Sequence, residues 1–390
     1  MKLPRSGFGL GTKAMQMFYL FQFALSLSLL SGGVPAHYES DVGGDEARVS
    51  EGSGKGSKTE QQTVSAGSET VAETDIEGTS RRSGREMFRN ASIPTWEMLD
   101  VPDDPEMRDL VLGAHFLVSN ENDLHLFHEV LTSRSGGGYV GVGTEQNFVL
   151  AGWSRPEFAL IIDIDSVVVG MFSIYETAFA EAETPAEFLN FWSEAHVLKA
   201  RRSLARSGFG EHMQLYTDMR KKVARRFDFL GKRFSRLGLP WVLDDQEQYD
   251  HVREMFRTGA WQVRHADFSG AQTLRTFADV LNRLDAKVNT LYLSNIEDYL
   301  KYGDGFRSNI RALPAAKDAV TLHTCVRREK EGLRWCYIVQ GLENFQSWLA
   351  MSPVRTLKDI VGGSTEVYSK LVEFAEKPSL KYVQSERTKR

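Results

Sequence analysis

Cysteine is nearly missing from this chain: Cys325 and Cys336 are the only two among 390 residues. That excludes a disulfide-rich scaffold and a zinc site built from four cysteines. Metal chemistry would have to use histidine and carboxylate, and residues 109–131 do contain His115, His125 and His128. No His-Glu-x-x-His arrangement links them, so exposed or capped histidines on a helix are expected and no metal ligand is assigned. A Gly-x-Ser-x-Gly elbow is also absent, which removes the usual signature of an esterase-type hydrolase. Positive charge is not in excess, since 47 Lys and Arg face 52 Asp and Glu for a net charge of -5. A protein built mainly to neutralise phosphate backbones is therefore disfavoured, and nucleic acid is not an expected partner.

Acid is missing from the first 38 residues, where Lys2, Arg5 and Lys13 precede a low-polarity run at 17–30 and the small residues Val34-Pro35-Ala36. This pattern predicts a secretory signal peptide over 1–36, because the apolar run is shorter than the roughly 20 residues that span a bilayer. An uncleaved anchor or an organelle-targeting leader is the alternative. Residues 37–85 hold Gly, Ser, Thr, Glu and Ala with almost no aromatic or branched apolar residue, and are expected to be a disordered polar linker. Asn90-Ala91-Ser92 forms a glycosylation acceptor pattern.

The folded domain is expected over 93–377, followed by a basic tail at 378–390. Its organising stretch is Tyr139-Val140-Gly141-Val142-Gly143-Thr144-Glu145-Gln146-Asn147-Phe148 with the apolar strand 158–164 behind it. A short β-rich run, two glycines one residue apart, a helical turn, and then Asp163 about 20 residues on is how a nucleotide-binding βαβ unit begins. Upstream, Pro102 to Pro105 with Glu106 resembles a helix start. Downstream, helices are predicted at 172–179 and at 185–192, the latter opened by Thr184, Pro185 and Glu187.

A run stepping by three or four, Leu215, Met219, Val223, Phe227, Leu230, Phe234 and Leu237, predicts a long amphipathic helix. Its other face carries Arg220, Lys221, Lys222, Arg225, Arg226, Lys232, Arg233 and Arg236. Such a face can hold RNA, an anionic membrane or an acidic partner, although a solvated charged face is the ordinary explanation. Strands at 262–266 and 288–294 with a helix at 273–284 between them imply parallel pairing. The β-rich runs 319–328 and 333–340 around Glu329 to Gly332 predict an antiparallel hairpin, and 352–361 a short capped helix. If that hairpin turns between Lys330 and Glu331, Cys325 and Cys336 stand opposite each other, at a spacing a disulfide can bridge.

Three segments resemble an uncharacterised, mostly bacterial protein family: Tyr-x-Gly-Val-Gly-x-x-Gln-Asn-Phe at 139–148, Arg-Pro-x-x-Ala-x-Ile-x-Asp-Ile at 155–164, and Leu-Tyr-Leu-Ser-Asn-x-Glu-x-Tyr-Leu at 291–300. The resemblance implies an α/β fold with a Rossmann-like, methyltransferase-type sheet, mostly parallel, ending in an antiparallel hairpin and carrying a helical insertion at about 167–260. It also implies S-adenosylmethionine as cofactor, with the acceptor unassigned. On that layout Gly141 and Gly143 line the turn under the cofactor, Gln146 and Asn147 bind it or tie the loop, Asp163 takes the ribose hydroxyls, and Asp267 approaches the adenine. Asn295 would orient an acceptor and Glu297 would take its proton, against the plainer roles of helix cap and first-turn acid. Tyr139 stands where the usual acid precedes the first glycine, and the third glycine is missing. A non-catalytic binding or interaction protein on the same fold is the alternative.

Overall fold

A computed structural model describes residues 100–110, 113–329, 332–362 and 371–374, without the side chains of 327–329, 332–334 and 371–374. The expected leader, polar linker, glycosylation pattern and basic tail lie outside the described residues, as do Lys330 and Glu331.

Seven strands form one sheet. They are β1 (Gly138–Val142), β2 (Phe158–Asp163), β3 (Trp261–His265), β4 (Val288–Ser294), β5 (Ala315–Glu329), β6 (Gly332–Gly341) and β7 (Leu371–Phe374), in the order β3-β2-β1-β4-β5-β6-β7. The first five strands in chain order run parallel, β6 is antiparallel to β5, and β7 is parallel to β6. This is the α/β, Rossmann-like arrangement with a reversed C-terminal edge. Because the chain reverses its direction of travel between β1 and β4, that pair marks the topological switch point.

Alternation along the strands sorts side chains into two cores. Tyr139, Ala159, Ile161, Tyr292 and Leu322 face one layer of helices, while Val140, Leu160, Ile162, Leu291 and Ile338 face the other. The first layer contains α1 (His128–Thr132), α2 (Gln146–Ser154) and a helical insertion between β2 and β3. That insertion comprises α3 (Ser166–Glu181), α4 (Pro185–Phe191), α5 (Val197–Arg206), α6 (Met213–Leu237) and α7 (Gln246–Arg257). Thr184 caps α4, its hydroxyl accepting from the Glu187 N–H at 3.2 Å. The second layer holds α8 (Thr273–Leu284), α9 (Asp304–Ala312), α10 (Leu342–Leu349) and α11 (Leu357–Val361). Helix α11 is shorter than the sequence implied, because a capping box at Thr356 and Asp359 starts it there. No helix among the described residues is long and apolar enough to cross a membrane.

The hairpin register places Cys325 directly opposite Cys336, and a disulfide joins them with Cα atoms 5.1 Å apart. Upstream of α1 the structure departs from expectation. The helix expected to start at 102–106 does not form; residues 100–104 run extended along the edge strand β3 instead. Asp104 donates its N–H to the His265 carbonyl at 3.1 Å, and Asp103 accepts the His265 N–H at 3.0 Å. The physical reason is an outlet for Asp104 that local sequence does not reveal. Its carboxylate accepts N–H groups of Asp267, Gln272 and Thr273 at 2.8 to 3.0 Å, capping α8 across the fold.

Candidate functional site

The turn between β1 and α2 is built around its own amides. Gly143 has φ +88°, and a Cβ there would collide with the Gln146 amide nitrogen. A Cβ on Gly141 would collide with the Asn147 side-chain oxygen and the Tyr139 ring. The two glycines therefore make room for buried side chains. Asn147 donates to the carbonyls of Val142 and Thr144 at 3.0 and 2.9 Å and accepts from the Tyr139 hydroxyl at 2.8 Å. Gln146 accepts the Thr144 N–H at 3.0 Å, and both amides are buried. Of the alternatives open to these two amides, the geometry is that of tying the loop.

Asp163, half-buried at the end of β2, accepts the Asp165 N–H at 2.9 Å and is also hydrogen-bonded by the Gly143 N–H. Burial, together with the Asp165 charge and against these N–H donors and His265, pushes its carboxyl up to about 7. Asp267 is engaged elsewhere: it pairs with Arg108 Nε at 2.7 Å and accepts the Ser269 N–H at 2.7 Å. The three histidines have separate neighbours, His115 meeting Asp165 at 2.9 Å, His125 lying 4.0 Å from Asp123, and His128 standing edge-on to Trp153. No group of three or more potential metal ligands occurs among the described residues.

Past β4, Ser294 adopts φ +48°, a left-handed conformation that non-glycine residues hold mostly where their surroundings enforce it. Its hydroxyl donates to Glu121. Asn295 is half-buried, and its amide donates to the Tyr299 hydroxyl at 3.3 Å. Glu297 is sealed in the second core, where it pairs with His323 Nδ1 at 2.5 Å and accepts from the Tyr302 hydroxyl. His323 is fully buried, its ring edge-on to Phe345, and its Nε2 has no hydrogen-bond partner among the described residues. In this arrangement the Glu297 carboxyl is taken up by His323 and by the Tyr302 hydroxyl, with its side chain almost fully buried.

What gathers these groups is a strap, residues 100–110 and 113–123, laid across the carboxyl ends of the strands. From the β3 edge it passes Asp267 through Arg108 and Asp165 through His115, then reaches the β1–α2 turn, where the Ser119 N–H donates to both Glu145 oxygens at 3.1 Å. Glu121 then accepts from Tyr292 and Ser294 at 2.5 Å each and from Thr324 at 2.8 Å. That carboxyl bridges β4 and β5 beside β1, at the switch point, and burial raises its pKa against three hydroxyl donors and the charge of Arg226. Beyond it the Asp123 N–H meets the Tyr337 hydroxyl at 2.9 Å. Arg226 of α6 clamps the strap, donating to Glu145 at 3.0 Å, to Asn122 at 3.0 Å and to the Glu121 carbonyl at 2.6 Å. An ion pair this deep is held by its hydrogen bonds, since desolvation offsets much of the Coulomb gain.

The space above both glycines is taken by amides, Asp267 is paired, and Glu121 occupies the crevice. Sequence reasoning missed Glu121, Arg226, His323 and Tyr302. A histidine inside an otherwise apolar strand was a usable signal for His323; nothing local marks Glu121. Among curated proteins no match is found. The model of the family described as Domain of unknown function (DUF7790) matches residues 116–375, which takes in Glu121, the glycine turn, the helical insertion and the hairpin, and the chain belongs to that family.

Proposed function

We propose that this chain is a non-catalytic binding or interaction protein, a Rossmann-like scaffold whose cofactor crevice is filled by its own strap. The observation that carries the reading is Glu121: it stands at the switch point, where open α/β sheets hold ligands, and its carboxyl is fully engaged by Tyr292, Ser294 and Thr324. The buried amides under the turn and the Arg226 clamp support it. We also place the chain on the secretory route, with cleavage after Ala36; the Cys325–Cys336 disulfide supports an oxidising compartment.

One observation favours a second reading, an S-adenosylmethionine-dependent, methyltransferase-like protein of unassigned acceptor. Asp163 sits at the end of β2 against the glycine turn, where a ribose-binding acid belongs. Calorimetric titration of the full chain with S-adenosylmethionine and with its demethylated product separates the two. On the binding-protein reading neither compound binds at about millimolar concentration. Binding that Asp163→Ala weakens about ten- to a hundredfold, the loss of one charge-assisted hydrogen bond, overturns that reading in favour of the second.

A further inference from the structure

Between the start of α9 and the turn linking α10 to α11 lies a cavity of about 640 Å³, outside the crevice described above. Its charged lining is Lys301, Asp304, Arg307, Arg311 and Arg355, four cations against one carboxylate. None of the four cations forms an ion pair among the described residues. The nearby acids are committed elsewhere. Asp359 accepts the N–H groups of Arg355 and Thr356 at 2.8 and 3.0 Å to cap α11, and Glu297 is buried with His323 behind Tyr302.

Arg307 makes this a built wall. It is half-buried, and its Nε donates to the Tyr302 carbonyl at 2.8 Å. Its other nitrogens donate to the carbonyls of Leu349 at 2.5 Å, of Met351 at 3.1 Å and of Val354. Four of its five N–H donors are spent on carbonyl oxygens, so the guanidinium is held in place and no carboxylate pairs with its charge. Burial lowers its pKa, the like charges of Arg355 and Arg311 act in the same direction, and Asp304 opposes them. Helix α9 begins at Gly303 with no side-chain cap, so its first N–H groups add to the positive field. Beside the charges the cavity offers the exposed Ala350 at the end of α10, while Leu349 and Tyr302, whose ring stacks on Phe306 at 5.0 Å, lie buried behind its wall.

Gathering like charges around an open volume costs free energy that an anion would recover. We propose that this cavity binds a small phosphate-bearing molecule, its phosphate held by Arg311, Arg355 and Lys301 over the fixed Arg307 and its remainder beside Ala350. The volume suits a ligand of metabolite size, and guanidinium forks match phosphate oxygens in pairs. The inference stands apart from the reading of the crevice and gives the binding protein a ligand class.

Inorganic pyrophosphate, titrated into the full chain by calorimetry at low and at physiological salt, tests it. Saturable binding is expected, weakened about tenfold by Arg311→Gln and again by Arg355→Gln, both exposed residues whose loss leaves the fold intact by circular dichroism. The double variant Lys221→Gln/Lys222→Gln, on the exposed basic face of α6, should bind as the parent does. Equal weakening by that control, or no binding at about 1 mM, overturns the proposal. Asp163→Asn should leave pyrophosphate affinity unchanged, so the crevice reading and this one fail independently.

Discussion

Asp163 is a carboxyl that folding prefers protonated. Its folded-state pKa of about 7 lies above the ordinary 3.8, so its contribution to stability is complete below about pH 4 and is lost as the pH rises through about 7. Asp163→Asn keeps an acceptor for the Gly143 N–H and removes the titration. The variant is expected to match the parent near pH 4 and to exceed it at pH 8, by roughly 1 kcal/mol or more, which is about 2 to 4 °C in Tm for a domain of this size. Thermal melts at the two pH values check this, and a difference that does not grow with pH defeats it. At this scale the sequence revealed positions and hid partners. Asp163 was singled out by its spacing from the glycine turn, and Asn295 and Glu297 by the family resemblance. The engagement of Glu297 with His323, 26 residues away, and of Arg226 with Glu145, 81 residues away, is set by tertiary contacts that no spacing rule encodes.

Elements were more legible than side-chain partners, because strand and helix periods are local properties of the chain. Strands β1, β2, β4 and the long helix α6 follow their apolar patterns within a few residues. The hairpin register keeps residue numbers on facing strands at a constant sum, from Glu329 opposite Gly332 to Val320 opposite Gly341, and Cys325 meets Cys336 on that count. Helices α5 and α7 were not foreseen. They are short amphipathic pieces that pack on α3, and their polar residues outweigh their apolar stripes. If the hairpin forms where thiols oxidise, protein from its native host should begin at His37 and contain no free thiol. Intact-mass analysis before and after reduction and alkylation reads both; Met1 still attached, or two thiols alkylated without reductant, counts against the secretory route. A closed loop of this length contributes about 3 kcal/mol by the chain-entropy argument.

Over the whole molecule, charge is distributed unevenly. Helices α5 and α6 with their connection carry twelve Lys and Arg and three acids, a balance of 12 − 3 = +9 in a chain of net −5. Several of these cations work inside the fold, Arg220 with Glu194 and Arg226 with Glu145 among them, so the basic face read from sequence is partly a set of internal ties. The strap, by contrast, could not be read from the sequence. Its residues have neither helical nor strand period, and they gain their geometry only from the sheet they cross.

That crossing has a temporal side. Glu121 meets Thr324 across 203 residues of chain, and Asp123 meets Tyr337 across 214. The strap leaves the ribosome before any strand it rests on, and at roughly 5 to 20 residues per second its last partner follows some 10 to 40 s later. Throughout that interval Glu121 must remain in water, because its site does not yet exist. Early in refolding, strap amides should therefore exchange hydrogen freely while β1 and β2 are already protected, a sequence of events that pulsed exchange resolves; simultaneous protection would mean the strap docks on a partial sheet. On this order of events a segment synthesised before every strand is placed after them, and the completed hairpin is what admits it.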